Sequence, residues 1–367
     1  MSGKKQNILI CPLEWGLGHS ARMMPLAARL REMNNNIFIG AGEKHLSLFR
    51  NEMHGLNYIN FPGFRPAYSK YLPQYISLFL KLPILIYHLI NEHARLKKII
   101  REYSIDIVIS DNRFGLWNSK VKTVYITHMP LIPFPGALSF LEFTGILLHR
   151  AIIKKYTFCF IPDLPGDNNL SGRLSHAVKL LKNTRYIGIL SRFSEIKPTL
   201  IESPVKFRHN TVILSGPEPS RGILKQKLTD ILKDKEPQSV FLEGRPERAE
   251  ESMRLNNIIF YNHLSSSVMA GLITGSEIII TRSGYSTIMD LISLKCSALL
   301  IPTPGQTEQE YLARYLEGKG WFNTILQKDL NAGVSFSPMM SLNTDEILLQ
   351  SKALLEKALK ELLDKEQ

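Results

Sequence analysis

Short apolar runs alternate along this chain with stretches whose apolar positions recur every three to four residues. In the first half the runs fall at Asn7–Pro12, Asn36–Gly40, Asn57–Phe61, Ile105–Ser110, Thr123–Thr127, Phe158–Ile161 and Arg185–Ile189. Each has the length of a strand covered on both faces. Between them lie helical patterns such as Leu26, Leu30 and Met33, at spacings of four and three. Strand, loop and helix repeated in this order predict a parallel sheet with helices on both sides. The pattern starts afresh near Pro204, with runs at Thr211–Leu214, Ser239–Leu242, Ile258–Tyr261, Ile278–Ile280, Ala298–Ile301 and Asn323–Leu326. The expected fold class is therefore α/β, with two doubly wound, Rossmann-like domains facing a cleft. The first domain is assigned residues 1–195 and the second 205–340, with a linker near Ser191–Pro204.

The last segment, 341–367, reads as one capped helix packing back across the domains. Asn343 or Thr344 can cap it, and Asp345 and Glu346 suit its positive end. Ile347, Leu348, Leu354, Leu355, Leu359, Leu362 and Leu363 form its apolar stripe.

Composition narrows the class. A length of 367 residues suits two domains, and an apolar content of 44% supports real cores. Cys11, Cys159 and Cys296 lie far apart beside apolar runs, which reads as buried free thiols in a reducing compartment. No Cys/His cluster suggests a metal. No secretory signal is expected from the polar start, and no clean run of about 18 apolar residues is available to cross a membrane. The nearest, Tyr71–Ile90, is interrupted by Lys81, Pro73 and Pro83. The net charge of +12 is uneven: residues 1–200 carry 26 Lys and Arg against 12 Asp and Glu, residues 201–367 carry 19 against 21. The basic residues form no long run and no nucleic-acid motif, so an anionic membrane surface and a phosphorylated ligand fit better than nucleic acid.

In open α/β sheets, ligands bind beyond the carboxyl ends of the strands, so the chemistry is expected at strand–helix turns. The first such turn, "WGLGHS", holds Gly16, Gly18 and His19 ahead of a helical pattern. Its glycines permit close backbone approach or positive φ. The following helix offers free N–H groups to an anion, and His19 can act as a base. A tight turn with a packed histidine is the plainer alternative. This is not the dinucleotide fingerprint, because the third glycine is absent. A second turn, Ser283-Gly284-Tyr285-Ser286-Thr287, opens a helix that carries Asp290 about two turns in. Hydroxyls at a helix start make a phosphate cradle, and an acid nearby can accept both ribose hydroxyls. Capping by Ser283 beside a surface acid explains the same residues. In "IPTPGQTEQEYL", Gln306, Glu308, Gln309 and Glu310 crowd a helix start, where they grip sugar hydroxyls or merely form a solvated first turn. "LSGPEPSRG", with Ser215, Gly216, Ser220 and Arg221, can hold a diphosphate or simply turn. Asp111 and His128 each end a strand of the first domain and face the cleft if the sheet is parallel.

Together these stretches resemble the GT-B glycosyltransferases, most closely the MurG-like group of glycosyltransferase family 28. The similarity is carried by "TRSGYSTIMDLI" followed by "IPTPGQTEQEYLARYLEGKG", by Gly-x-Gly-His before the first helix, and by "NHLSSSVMAGLITGSEIII". The resemblance implies a GT-B fold and a transferase. It moves a sugar, an N-acetylhexosamine or hexose, from a UDP-sugar to a hydroxyl of a lipid-linked or other cell-envelope glycan acceptor. It implies inversion, no cofactor and no metal, and a cytoplasmic enzyme peripheral to the inner membrane face. By position it places Asp290 on the ribose, Gln309 on the sugar hydroxyls, and Ser283, Gly284, Ser286 and Thr287 at the diphosphate. Arg192, in "GILSR", matches an inter-domain arginine near that diphosphate. Gly216 and Glu310 join the donor side, Gly16, Gly18, Asp111 and His128 the acceptor side, and His19 takes the position of the base. Asp290 replaces the family's usual Glu, and Glu310 replaces the second Gln, which bears on N-acetylglucosamine specificity. The family's His-Glu-Gln-Asn appears as His128-Met129-Pro130-Leu131, so an acceptor other than the peptidoglycan precursor is expected. A nucleotide-sugar epimerase or hydrolase of the same fold, and a non-catalytic nucleotide-sugar-binding subunit, remain the competing readings.

Overall fold

A computed structural model describes residues 5–64, 81–134, 136–196, 208–248, 252–331, 333 and 341–364. Residues 71–80 of the apolar Tyr71–Ile90 stretch and the linker from 197 onward lie outside these. The first sheet is built from β1 (Asn7–Cys11), β2 (Asn36–Ala41), β3 (Asn57–Asn60), β4 (Ile107–Asp111), β5 (Lys122–Ile126), β6 (Phe158–Ile161) and β7 (Thr184–Tyr186). Its strand order is β3-β2-β1-β4-β5-β6-β7, and every pairing is parallel. Alternation along β1 explains why both faces need helices. Ile8 and Ile10 enter one core with Leu26 and Leu30, while Leu9 and Cys11 enter another with Leu96 and Ile99. The first of these helices is α1 (Leu17–Glu32); α2 (Glu43–Glu52) lies on the same side, and α3 (Leu82–Glu102) covers the other. Further on come a 3-10 turn over Gly136–Leu141, α4 (Glu142–Ile153) and the single turn α5 (Arg173–His176).

The second sheet repeats the logic. It comprises β8 (His209–Ile213), β9 (Gln238–Leu242), β10 (Ser252–Leu255), β11 (Ile258–Tyr261), β12 (Ser276–Thr281), β13 (Leu299–Leu300) and β14 (Asn323–Thr324). Its order is β10-β11-β9-β8-β12-β13-β14, parallel apart from the edge strand β10, which the hydrophobic pattern did not announce. The helices are α6 (Ser220–Leu232), α7 (Ser266–Thr274), α8 (Tyr285–Ser293), α9 (Thr307–Gly318) and α10 (Asp345–Leu363). All three cysteines are buried and free.

Two expectations about local structure change. The run Arg185–Ile189 stops being a strand at Tyr186. Gly188 turns there with φ +71, and a Cβ at that point would collide with the backbone of Ser351 in α10. Thr344 stands at the start of α10 but does not cap it: its hydroxyl donates to the Ile292 carbonyl. The helix then crosses between domains. Ile347 sits in the second-domain core, whereas Ala358, Leu359 and Leu362 sit in the first. Ion pairs Arg29–Glu356 and Arg185–Glu361 fix its far end.

Candidate active site

The order of each sheet locates a place where neighbouring strands send their connections to opposite faces. In the first sheet it lies between β1 and β4, in the second between β8 and β12. Such switch points leave a crevice beyond the strand ends. The turn from β1 into α1 carries Gly16, Gly18 and His19, and β4 ends at Asp111. The β8 exit carries Gly216, exposed with φ +92, and the β12 exit carries Ser283 and Gly284 ahead of α8.

The two crevices meet. A Cβ on Gly18 would lie 2.9 Å from the Ser286 Cβ, so glycine is needed there for contact between the N-terminal turns of α1 and α8. Neither glycine of "WGLGHS" uses positive φ. Gly16 is an extended N-cap at φ −176, and the space its Cβ would occupy is open.

His19 Nδ1 lies 2.8 Å from Asp111 Oδ2. An ionised carboxylate only accepts, so Nδ1 carries the proton and the Nε2 lone pair is left for a reacting hydroxyl. Burial lowers the basicity of His19, Asp111 opposes this, and Arg22 adds to it. The ring is therefore neutral at physiological pH. Arg22, one turn along α1, shares the helix face of His19. It is 1% exposed and donates from Nε to Asp111 Oδ2 at 3.0 Å and from an Nη to Oδ1. Burial pushes the Asp111 carboxyl up, but Arg22 and His19 overcome it and hold it at about 2.

His128, past the end of β5, is 3.3 Å from the Arg22 guanidinium through Nδ1 and 2.8 Å from Glu308 Oε1 through Nε2. Its ring stacks on Tyr285 of α8, with centroids 4.1 Å apart and planes 8° from parallel. The Tyr285 hydroxyl donates to the Pro162 carbonyl. Thr307 Oγ1 donates to the Pro133 carbonyl, and the Tyr311 hydroxyl receives the Arg173 N–H. One face of α9 is thus docked against the first domain.

The donor-side residues divide. Gly284, Ser286 and Thr287 sit at the open N-terminal turn of α8, where no side chain caps the free N–H groups. Ser283 is buried and donates to the Gln309 carbonyl. Gln309 accepts from the Thr303 N–H, and Glu310 accepts from the Gly305 N–H, so both side chains brace their own loop. From the first turn of α9 it is Glu308 that reaches across the cleft. Asp290 accepts from the Ser191 hydroxyl at 2.7 Å, with Arg192 Nε 3.6 Å from its other oxygen. Burial raises its carboxyl, against the pull of Arg192. Of the acceptor-side residues, His19, Asp111 and His128 converge, and Gly18 serves the approach of the two domains. Arg22 and Tyr285 complete the constellation without a role assigned from sequence, and Glu308, expected among the residues that grip sugar hydroxyls, instead bonds His128. Spacing along α1 was the available signal for Arg22.

Residues 227–365 match the profile of the glycosyltransferase family 28 C-terminal domain. The chain as a whole has the fold of solved GT-B glycosyltransferases. Relatives align over part of the chain. A UDP-N-acetylglucosamine–N-acetylmuramyl-(pentapeptide) pyrophosphoryl-undecaprenol N-acetylglucosamine transferase of Caldanaerobacter subterraneus subsp. tengcongensis is 28% identical over 142 residues, 35% of this chain and 39% of that one. The protein of the same name from Bacillus cytotoxicus is 34% identical over 88 residues, 23% of each chain. The chain therefore matches well under half the length of these relatives. By structure it is similar to the glycotransferase of kitacinnamycin, with TM-score 0.62 and 13% identity over 98% of this chain and all of that one. It is also similar to the glycosyltransferase SnogD from Streptomyces nogalater, with TM-score 0.56, 12% identity and the same coverage. At those identities the likeness speaks to fold alone.

Proposed function

We propose that the protein is a glycosyltransferase that moves a hexose or N-acetylhexosamine from a UDP-sugar to a hydroxyl of a lipid-linked or other cell-envelope acceptor. The observation that carries this reading is the meeting of two switch points: the His19–Asp111 dyad on one side and the uncapped turn of α8 on the other, in contact through Gly18 and Ser286. The relatives' names supply the donor and acceptor classes. The diphosphate would rest on the N–H groups of Gly284, Ser286 and Thr287, with Gly216 beside it and Arg192 approaching from the inter-domain crossover. Helix N-termini and a guanidinium can stabilise the departing diphosphate without a metal ion. His19 Nε2 takes the proton of the acceptor hydroxyl as that oxygen attacks the anomeric carbon from the face opposite the leaving group, which inverts it. Closure of the domains excludes water from the donor.

A thermal-shift panel of nucleotide sugars tests the donor site. A UDP-sugar is expected to raise the Tm by several degrees, and UDP release is expected only when an acceptor is present. No shift with any nucleotide or nucleotide sugar sinks the reading, and UDP release in water alone points to a hydrolase.

A membrane-facing acceptor would need a docking surface. No helix of the described residues is long and apolar enough to cross a membrane. Two helices of the first domain nonetheless share an unusual pattern. At the start of α3, Leu82, Ile84, Ile86, Tyr87 and Ile90 are exposed, and Lys97, Lys98 and Arg101 follow. Around the start of α4, Phe140, Phe143, Leu147 and Leu148 are exposed, and Arg150, Lys154 and Lys155 follow. Apolar side chains entering the interface beside basic ones suit an anionic bilayer. We expect the protein to float with anionic liposomes at low salt, and Tyr87→Glu with Phe143→Glu to abolish flotation without changing UDP affinity. Wild-type protein that stays unbound refutes the docking.

A further inference from the structure

We propose that Glu308 and His128 are positioning residues that arm the His19–Asp111 dyad when the two domains close. The inference rests on the transferase reading and extends it to how the base is switched on.

The neighbours of His128 fix where its proton sits. A guanidinium offers only donors, so the Arg22 Nη at 3.3 Å makes His128 Nδ1 an acceptor. His128 is then neutral with its proton on Nε2, and that N–H donates to Glu308 Oε1 at 2.8 Å. Stacking on Tyr285 fixes the ring in this orientation. The contact is a hydrogen bond from a neutral ring to a carboxylate.

The charges then add up in a particular way. Within the first domain, Arg22 cancels Asp111, so the partner that should strengthen His19 as a base is neutralised. Glu308 comes from the other domain and brings a negative charge that nothing in the cluster cancels. It is placed only when the first turn of α9 docks on the β5 exit, a contact also made by Thr307 on Pro133. Burial pushes the Glu308 carboxyl up, and His128, His19 and Arg22 together draw it below the ordinary carboxylate range. The charged groups around His19 are Arg22 on its own helix, Asp111 from β4 and Glu308 from α9, and the titratable but neutral His128 lies past β5. An open cleft leaves His19 a weak base beside a neutralised carboxylate. A closed cleft adds the charge of Glu308 and makes it a stronger one. Hydroxyl activation is thereby tied to the state in which water is excluded.

The test is the titration of the His19 Cε1–H resonance in the full chain saturated with UDP, in wild type, Glu308→Gln and Glu308→Asp. Gln can still accept from His128 Nε2 and so removes the charge while keeping the bridge. The His19 midpoint is expected to fall by at least about half a pH unit in Glu308→Gln and to return toward wild type in Glu308→Asp. The acid limb of kcat for UDP release should move with it, while the donor KM stays within about twofold. UDP bound with coincident midpoints in wild type and Glu308→Gln overturns this inference alone. UDP that binds none of the three proteins overturns the transferase reading and this inference with it.

Discussion

His19→Ala is expected to lower sugar transfer by about 10²–10⁴-fold, the range for loss of a positioned general base, while UDP affinity changes by less than about twofold. The donor would be held by the second domain, through the α8 turn, and His19 reaches the cleft from the first. UDP release in the presence of acceptor measures the first quantity, and calorimetric titration with UDP the second. A wild-type rate in His19→Ala removes the base from the mechanism and favours the non-catalytic reading. The pH profile gives a second handle. The base must be neutral, and burial with Arg22 lowers the His19 value below the ordinary 6.5. Activity should therefore persist into mildly acidic solution and disappear as pH falls through that lowered value.

Much of this architecture was legible in the sequence, for identifiable reasons. Buried parallel strands are short, continuous apolar runs, and each predicted run contains or overlaps an observed strand. The edge strand β10 escaped because "SMRL" is half polar and pairs on one side only. The strand exits were legible too, because in a parallel sheet every such turn precedes a helix N-terminus. His19, Asp111, His128 and the Ser283–Thr287 turn all lie at such exits. What it could not find depends on which side chain a neighbour already satisfies. Ser283, Gln309 and Glu310 look like ligand groups in one dimension, but each is occupied by its own domain. Glu308, one residue before Gln309, points about 100° away around that helical turn and meets a histidine 180 positions away. Asp290 likewise turns toward Ser191 and Arg192, the crossover between domains. The glycine at 18 was legible as special, but its cause, contact with Ser286, belongs to the meeting of two domains.

Asp111→Asn should cost both stability and transfer, and separating the two tests the role of this carboxylate. Asp111 is wholly buried and accepts from His19 and from two nitrogens of Arg22. An amide offers one oxygen and turns two N–H donors toward groups that are themselves donors. Arg22 would remain buried without its counter-charge, a situation that costs roughly 3–5 kcal/mol. The lost pairing also frees His19 to rotate or to place its proton on Nε2, which removes the base; transfer should fall about 10²-fold or more. Acid works on the same pair. The folded carboxyl sits at about 2 against an ordinary 3.8, so its stabilising contribution is complete above 3.8 and is lost as pH falls toward 2. Urea midpoints measured between pH 2 and pH 6 should show that acid-dependent component in wild type and lack it in Asp111→Asn. Adding Arg22→Met to Asp111→Asn removes the stranded cation and should recover most of the stability, because an apolar side chain of similar size suits a buried site. Transfer should not return with it. A double variant that regained both would make Asp111 a packing residue and leave His19 without an orienting partner.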